Sequence, residues 1–163
     1  MATKQVYAFQ NQIKVIQHKL KATFAKKKNN QQNQRYEVSQ LLKDKRINHA
    51  KIKTEYIIRD DYLVEAMEII ELYLELLLVR SQLIIKKDFD DNCLEAIAGL
   101  LYSAPRVIDV PELSKLQKLM MPLTKQVFEI KNGKDIETPE LINHVNKKLK
   151  RLVDMTRARI FNN

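Results

Sequence analysis

The sequence predicts an all-α protein, and three observations support this fold class. Apolar residues recur at spacings of three and four along most of the chain, which is the period of an amphipathic helix. The chain holds two glycines and four prolines, and none of them precedes Gly99. A turn-rich β fold needs these residues throughout its length. With 163 residues, the chain is long enough for one helical domain with its own core, so a single domain over residues 1–163 is expected.

Residues 56–80 are predicted to form the central helix of this domain. Five carboxylates share one third of the helix circumference, and apolar side chains cover most of the remainder. This apolar surface is wider than one neighbouring helix can bury, so several helices should pack around it. The acidic face is a candidate partner-binding face, and it consists of Asp61, Glu65, Glu68, Glu71 and Glu75.

The same stretch carries a specific resemblance. The run Ile57-Ile58-Arg59-Asp60-Asp61-Tyr62-Leu63-Val64-Glu65-Ala66-Met67-Glu68-Ile69, followed by Glu71-Leu72-Tyr73 and Leu76-Leu77-Leu78, resembles the signature of the increased-sodium-tolerance family of ESCRT-III-related proteins. Pro105-Arg106 and Val110-Pro111-Glu112-Leu113 match further landmarks of that family. The resemblance implies an ESCRT-III-like core, in which a long antiparallel two-helix hairpin carries three further helices packed on it.

Helix one is predicted over residues 1–43. Residues 26–35 are almost entirely polar, so from the residues alone they fit either a linker or a helix that extends into solvent. The family resemblance favours a continuous helix. A turn at Asp44-Lys45 then leads into helix two, residues 46–87, and completes a rod-like hairpin. The apolar seam of helix one has spacings of three and four: Val6, Phe9, Ile13, Ile16 and Leu20.

Helix three is predicted over residues 90–104. Asp88, Asp90 and Asp91 precede its apolar positions, and acids at a helix N-terminus cap free amides and complement the dipole. The helix should stop at Ala104-Pro105, because the residue before a proline disfavours the helical conformation.

Helix four is predicted over residues 110–131. Asp109 and Glu112 have the spacing of a capping box, with Pro111 in the first turn. Pro122 should kink the helix, because it removes one backbone hydrogen bond. The pair Asn132-Gly133 should end it.

Helix five is predicted over residues 138–160 and begins at Thr138-Pro139. Its apolar residues are spaced to pack back onto the hairpin, which is the favoured interpretation. The family resemblance adds a second one, because ATPase-recruiting helices of the family combine spaced leucines with basic residues. The candidate residues of such an ATPase-binding helix are Arg151, Leu152 and Met155.

Charge is segregated along the chain. Residues 1–55 hold thirteen Lys and Arg against three acids, residues 56–112 hold five against twelve, and residues 113–163 hold eleven against five. Such segregation favours attraction to anionic surfaces or contact between copies, and neutralisation between neighbouring helices is the alternative. The basic residues of helix one are either a solvated stripe or an assembly or membrane face: Lys14, Lys21, Lys26, Lys27, Lys28 and Arg35.

No pattern of residues indicates catalysis, a cofactor or a metal. His18, His49 and His144 lie on separate predicted elements, and Cys93 is the only cysteine, so neither a zinc site nor an internal disulfide is expected. The sequence holds no phosphate-binding glycine loop, nucleophile elbow or nucleic-acid-binding motif. No apolar run is long enough to cross a bilayer. A soluble, intracellular protein without enzymatic activity and without a specific nucleic acid partner is expected.

The residues alone predict a charge-segregated helical assembly protein. The resemblance implies co-assembly, as a homo- or hetero-oligomer, with ESCRT-III subunits of the charged-multivesicular-body type, and regulation of the AAA ATPase that disassembles them. It further implies a cytoplasmic protein that is peripheral at endosomal membranes, with roles in multivesicular-body formation and cytokinesis and with anionic membrane as a further partner. The alternative is a basic helical protein that binds anionic membrane or nucleic acid without specificity.

Overall fold

A computed structural model describes residues 3–131 and 135–161, and within these ranges it contains helices and no strand. Helix α1 (Lys4–Lys43) and helix α2 (Ile47–Val79) lie antiparallel, so the all-α hairpin architecture is confirmed. α1 stays helical through residues 26–35, as the family resemblance implied. The first two residues of predicted helix one lie outside the described part of the chain.

The hairpin turn lies at Asp44-Lys45, as predicted. The amides of Asp44, Lys45 and Arg46 donate hydrogen bonds of 2.9–3.0 Å to the last carbonyl groups of α1. Lys45 has a φ of 61°, in the left-handed region that glycine adopts most readily. These bonds satisfy carbonyl groups that a helix end otherwise leaves without a partner, which stabilises the reversal.

The seam between the two long helices is the predicted one. All five seam residues of α1 are buried, and four of them belong to one hydrophobic cluster with Met67, Ile70, Leu74 and Leu77 of α2. Burying each large apolar side chain contributes about 1.5–3 kcal/mol. Val79 at the end of α2 is 74% exposed, so this apolar residue of the predicted central helix lies outside the buried surface.

Predicted helix two, residues 46–87, is interrupted at Arg80. Arg80 has φ of −102° and ψ of 19°, and a short helix α3 (Ser81–Ile85) follows it. Ser81 is buried, and its hydroxyl accepts a 2.8 Å hydrogen bond from Nε2 of Gln10. Arg80 also pairs with Asp90. These contacts hold the interruption against α1 and the next helix, and no glycine or proline marks it in the sequence.

Helix α4 (Asp91–Ser103) occupies predicted helix three. The carboxylate of Asp90 caps it by accepting a 2.8 Å hydrogen bond from the amide of Cys93. Gly99 lies where α4 approaches α2 and the C-terminal helix. A Cβ at this position would lie 2.7 Å from Cε2 of Tyr73 and 3.0 Å from Cδ2 of Leu149. The absence of a side chain therefore permits this close approach.

Predicted helix four, residues 110–131, is shorter in the structure. A 3₁₀ turn (Pro111–Leu113) leads into helix α5 (Ser114–Thr124). The helix ends two residues after Pro122 instead of kinking and continuing. Because the chain turns at residues 125–129, Phe128 is buried and Val127 is 38% exposed. The predicted end at Asn132-Gly133 lies outside the described residues.

The predicted capping box at this helix is also absent. Val110 is the N-cap residue of the 3₁₀ turn, and no side chain caps it. Asp109 instead forms an ion pair with Lys27 of α1 at 2.9 Å. An ion pair with a distant helix has replaced the local cap that the spacing indicated.

Predicted helix five, residues 138–160, is two helices, α6 (Pro139–His144) and α7 (Lys147–Met155). Thr138 caps α6 at the predicted start, with a 3.2 Å hydrogen bond from the amide of Leu141. Val145 is extended, with ψ of 128°, and buried. Asn146 then caps α7 by accepting a 3.1 Å hydrogen bond from the amide of Leu149. Burial of Val145 and the Asn146 cap outweigh the continuous helical periodicity.

The hydrophobic cluster includes residues of every helix from α1 to α7. α2 contacts α1, α3, α4 and α7, which agrees with its predicted central position. In residues 3–131 and 135–161, no helix combines the length and the apolar character needed to cross a membrane.

Candidate protein-interaction surfaces

The signature residue Arg59 fastens the C-terminal segment to α2. It donates from Nε to the carbonyl oxygen of Ala158 at 2.9 Å, and from Nη2 to Glu55 at 2.7 Å. Glu55 in turn accepts a 3.1 Å hydrogen bond from the amide of Ile160. Two side chains one helical turn apart therefore hold the chain that follows α7 along the surface of α2.

The next signature residue, Asp60, is part of a partly buried ionic cluster. The Nζ of Lys27 lies 3.1 Å from Asp60 and 2.9 Å from Asp109. Burial alone lowers the pKa of Lys27, but hydrogen bonds to Asp109 and Asp60 and their charges outweigh it and raise the pKa above the ordinary 10.5. The Lys27 side chain is only 12% exposed. It links α1, α2 and the loop before the 3₁₀ turn, so it is not part of a free basic face.

The third signature residue, Asp61, joins the two candidate charged faces to each other. It accepts hydrogen bonds of 2.8 Å from Arg35 and 3.1 Å from Gln31. Farther along the hairpin, Lys21 lies 3.9 Å from Glu71. Neutralisation between neighbouring helices therefore accounts for part of the charge pattern, as the alternative interpretation held.

The remaining predicted basic residues do not share one face. Lys14, Lys26 and Lys28 are exposed and lie within 4 Å of no carboxylate in the described residues. Lys14 and Lys28 are about 40° apart around α1, whereas Lys26 is about 160° from Lys28. The ammonium of Lys28 lies 5.8 Å from the centroid of the Phe24 ring. The free basic face thus consists of Lys14 and Lys28.

On the acidic side, Glu65 and Glu68 are exposed and carry no hydrogen bond or ion pair in the described residues. Glu75 is also exposed and accepts a 2.8 Å hydrogen bond from the side-chain amide of Gln17, which leaves its charge unneutralised. These three carboxylates are the part of the predicted acidic face that remains available to a partner.

A second polar network holds α7 against α4, and sequence reasoning did not identify it. The hydroxyl of Tyr102 donates a 2.6 Å hydrogen bond to Asp154, and Lys150 pairs with the same carboxylate at 2.9 Å. Burial raises the pKa of Asp154, but these two hydrogen bonds and the charges of Lys150 and Arg106 outweigh it and lower the pKa below its usual range. Arg106 stacks 3.7 Å above the Tyr102 ring and pairs with Glu137. The family landmark Pro105-Arg106 was the only feature of the sequence that pointed to this network. The partners of Arg106, Glu137 and Asp154, are too distant in the sequence to be recognised from a local pattern.

The candidate ATPase-binding residues lie on α7. Arg151 is exposed, Met155 is half-buried, and Leu152 is fully buried in the core with Leu149 and Val153. α7 contacts both α2 and α4. In this arrangement Leu152 is a packing residue, and it reaches a partner only if α7 detaches.

A groove that the sequence did not predict lies between α1 and α5. Its volume is about 510 Å³, and Val15, Ile16 and Leu119 line it together with Lys115 and Lys118. Val15 is 51% exposed. The sequence feature that could have indicated this groove is Val15, an apolar residue on the side of α1 that faces away from the hairpin seam.

Among the described residues, no group of three or more His, Cys, Asp or Glu side chains is placed to hold a metal ion. Cys93 is buried, and burial raises the pKa of its thiol.

Comparison with known proteins places the chain among endosomal-sorting proteins. A family model named Ist1 and described as "Regulator of Vps4 activity in the MVB pathway" matches residues 10–158. Vacuolar protein sorting-associated protein IST1 of Saccharomyces cerevisiae is 39% identical over 120 residues, or 66% of this chain and 40% of that protein. IST1-like protein of Dictyostelium discoideum is 33% identical over 147 residues, or 88% of this chain and 37% of that protein. The chain therefore spans about two fifths of the length of these relatives.

A solved structure shows the same fold. The S. cerevisiae Ist1 N-terminal domain, crystallised in complex with the Did2 MIM motif, matches with a TM-score of 0.64 and 25% identity over 98% of this chain and 96% of that one. The family match extends well beyond the signature run and includes Lys27, Arg106 and Asp154, which hold the helices together. The chain belongs to the Ist1 family, the family described as regulators of Vps4 activity in the multivesicular-body pathway.

Proposed function

We propose that this chain is a non-enzymatic assembly protein that binds ESCRT-III subunits of the charged-multivesicular-body type and regulates the AAA ATPase that disassembles them. The observation that carries the proposal is the family match over residues 10–158, together with a structural neighbour that was crystallised with a Did2 MIM motif. The corresponding location is cytoplasmic and peripheral at endosomal membranes, in multivesicular-body formation and cytokinesis.

The polar networks support a scaffold role. Burial and a 3.0 Å hydrogen bond to Glu95 raise the pKa of Tyr73, and this bond joins α2 to α4. Lys27 and Asp154 also have shifted pKa values, and each joins helices that are distant in the chain. Perturbed ionisable groups can mark catalytic sites, but here their partners are structural. The networks hold the helices in one arrangement, which supports a role as a scaffold.

The free charges support one location for the ESCRT-III contact. Lys14 and Lys28 lie on one face of α1, at the same side of the hairpin as the carboxylates of Glu65 and Glu68 on α2. We assign the ESCRT-III contact to this face, because an amphipathic helix with charges of both signs can pair with both rows.

Binding to anionic membrane is the second candidate function, and the excess of basic residues in residues 1–55 favours it. Lys14 and Lys28 would contact lipid headgroups in that case. Non-specific binding to nucleic acid would use the same charges, so the test must include all three ligands.

The test is co-sedimentation of the full chain with a purified ESCRT-III polymer, with anionic or neutral liposomes, and with duplex DNA, followed by ATP hydrolysis by the Vps4-type ATPase on that polymer. Selective binding to the polymer, with a changed hydrolysis rate, supports the proposal. Binding only to anionic liposomes supports the second function. Salt-sensitive binding to DNA alone, or an unchanged hydrolysis rate with no polymer binding, contradicts the proposal.

A further inference from the structure

An exposed ridge of acidic and apolar residues runs along the outer side of α2. Its members have spacings of three and four, so they form one straight row on the helix. Leu72 is 69% exposed and Val79 is 74% exposed. The apolar members are separated by carboxylates that carry no ion pair within the described part of the chain. The ridge comprises Glu65, Glu68, Leu72, Glu75 and Val79.

The groove between α1 and α5 has the complementary character. Val15 and Leu119 provide its accessible apolar surface, with the buried Ile16 beneath them, and Lys115 and Lys118 border it on the α5 side. Both lysines are exposed and lie within 4 Å of no carboxylate among the residues that the structure describes. A groove between two helices with apolar residues in its lining can receive a third helix, and the lysines select one that carries acids beside its apolar residues.

The ridge and the groove lie on opposite flanks of α1. Gln17 contacts Glu75 on the side of the ridge, whereas Val15 faces the groove. Residues two positions apart on a helix are separated by about 200°. A single molecule therefore cannot bring its own ridge into its own groove, but two copies can make this contact.

We propose that the α2 ridge of one copy docks into the α1–α5 groove of a second copy. Glu65 and Glu68 then face Lys115 and Lys118, while Leu72 and Val15 meet in the apolar centre. The contact is heterologous, because the two surfaces are different, so each copy keeps one ridge or one groove free for a further copy. Neither surface includes a residue of α7, so the contact does not require α7 to detach. The inference rests on the proposed assembly function and adds a homotypic contact to it.

Sedimentation velocity of the full chain at low ionic strength over a range of concentrations tests this contact. We expect association beyond the dimer that weakens as salt is added. Glu68→Lys and Lys118→Glu should each weaken association by about tenfold or more, because each places like charges opposite one another. Lys148→Glu, at an exposed position of α7 outside both surfaces, is the matched control and should leave association unchanged.

Mixing the two variants provides the decisive step. In an equimolar mixture of Glu68→Lys and Lys118→Glu chains, the reversed ridge of one meets the reversed groove of the other, and the two unchanged surfaces also match. Association should therefore return to the level of the unmodified chain. A closed dimer, absence of association in the unmodified chain, or failure of the mixture to recover would overturn the proposal.

The Lys118→Glu variant separates this inference from the proposed function, because Lys118 lines the groove and lies outside the face assigned to the ESCRT-III contact, whereas Glu68 belongs to both surfaces. If homotypic association fails while the chain still binds the ESCRT-III polymer, the inference is wrong and the proposed function stands. If the chain associates with itself as described but binds no ESCRT-III polymer, the homotypic contact stands and the proposed function fails.

Discussion

Arg59 and Ala158 are ninety-nine residues apart in the sequence, yet the Nε of Arg59 donates a 2.9 Å hydrogen bond to the carbonyl oxygen of Ala158. The bond joins the signature run of α2 to the chain that follows α7. Together with the ion pair between Lys27 and Asp60, it explains why charged residues appear in an otherwise packing-dominated signature. These residues hold a long hairpin and a C-terminal helix in one arrangement.

Lys27→Met should destabilise the fold by about 3 kcal/mol, because it leaves the buried carboxylate of Asp60 without its cation. The neighbouring exposed Lys26→Met is the control and should change the free energy of unfolding by less than about 0.5 kcal/mol. Urea unfolding at neutral pH measures both. Because the pKa of Lys27 is raised in the folded state, its contribution is present below pH 10.5 and is lost as the pH rises through the folded pKa. Equal effects of the two variants would contradict this role.

Tyr102→Phe should reduce stability at neutral pH by about 1 kcal/mol, because the Asp154 carboxylate loses a hydrogen-bond donor. The pKa of Asp154 is lowered from 3.8 in the folded state, so its contribution is present above that value and is lost as the pH falls through the folded pKa. Thermal unfolding against pH should therefore show a smaller acid loss in the variant than in the unmodified chain. Tyr7→Phe, at a 57% exposed position, should keep the full acid loss.

The sequence alone was enough to predict the two long helices and the apolar seam between them. Val6, Phe9, Ile13, Ile16 and Leu20 repeat over many turns, and their periodicity leaves one possible buried face. The caps at Asp90 and Thr138 were also predictable, since each precedes its helix with a side chain that accepts from the first turn.

The interruptions of helices were not predictable from local pattern. The break at Arg80 lies where Arg80 pairs with Asp90 and Ser81 contacts Gln10, the break at Val145 accompanies burial of that side chain, and neither residue is followed by glycine or proline. Lys27 could not be distinguished from Lys26 or Lys28 in the sequence, because its partner Asp109 lies in a loop eighty-two positions later. Which charged residues of α1 and α2 are paired and which are free likewise depends on how the two helices are aligned, and the sequence does not give this alignment.

Leu77→Ala should destabilise the domain by about 2–5 kcal/mol, because Leu77 is fully buried between helices and the truncation leaves a cavity. Leu72→Ala on the same helix is the control. Leu72 is 69% exposed, so its truncation should cost less than about 0.5 kcal/mol. Denaturant unfolding compares the two, and similar losses would mean that α2 packs through a different face.

Reversing Lys14 and Lys28 to Glu should abolish co-sedimentation with the ESCRT-III polymer while changing the unfolding free energy by less than about 1 kcal/mol, because neither lysine forms an ion pair within the described residues. Reversing Lys21 and Arg35 is the comparison. Those side chains pair with Glu71 and Asp61, so their reversal should lower stability more. If the Lys14 and Lys28 variant still binds the polymer, these lysines are a solvated stripe and not a binding face.

Leu152→Asp should unfold α7 or the whole domain, because the side chain is fully buried and an unpaired charge there is costly. A peptide of residues 140–163 should bind the microtubule-interacting-and-trafficking domain of the ATPase only weakly, since the packed and bound states need the same leucines. Circular dichroism and peptide titration measure the two effects. If the peptide shows no binding while Leu152→Asp unfolds the domain, α7 is structural and any ATPase contact lies elsewhere.

Electron microscopy of the full chain mixed with a purified ESCRT-III subunit of the charged-multivesicular-body type tests co-assembly most directly. We expect mixed polymers whose diameter or pitch differs from that of the subunit alone, with the chain present along their length. Polymers identical to those of the subunit alone, with the chain left entirely in the unassembled fraction, would contradict the account.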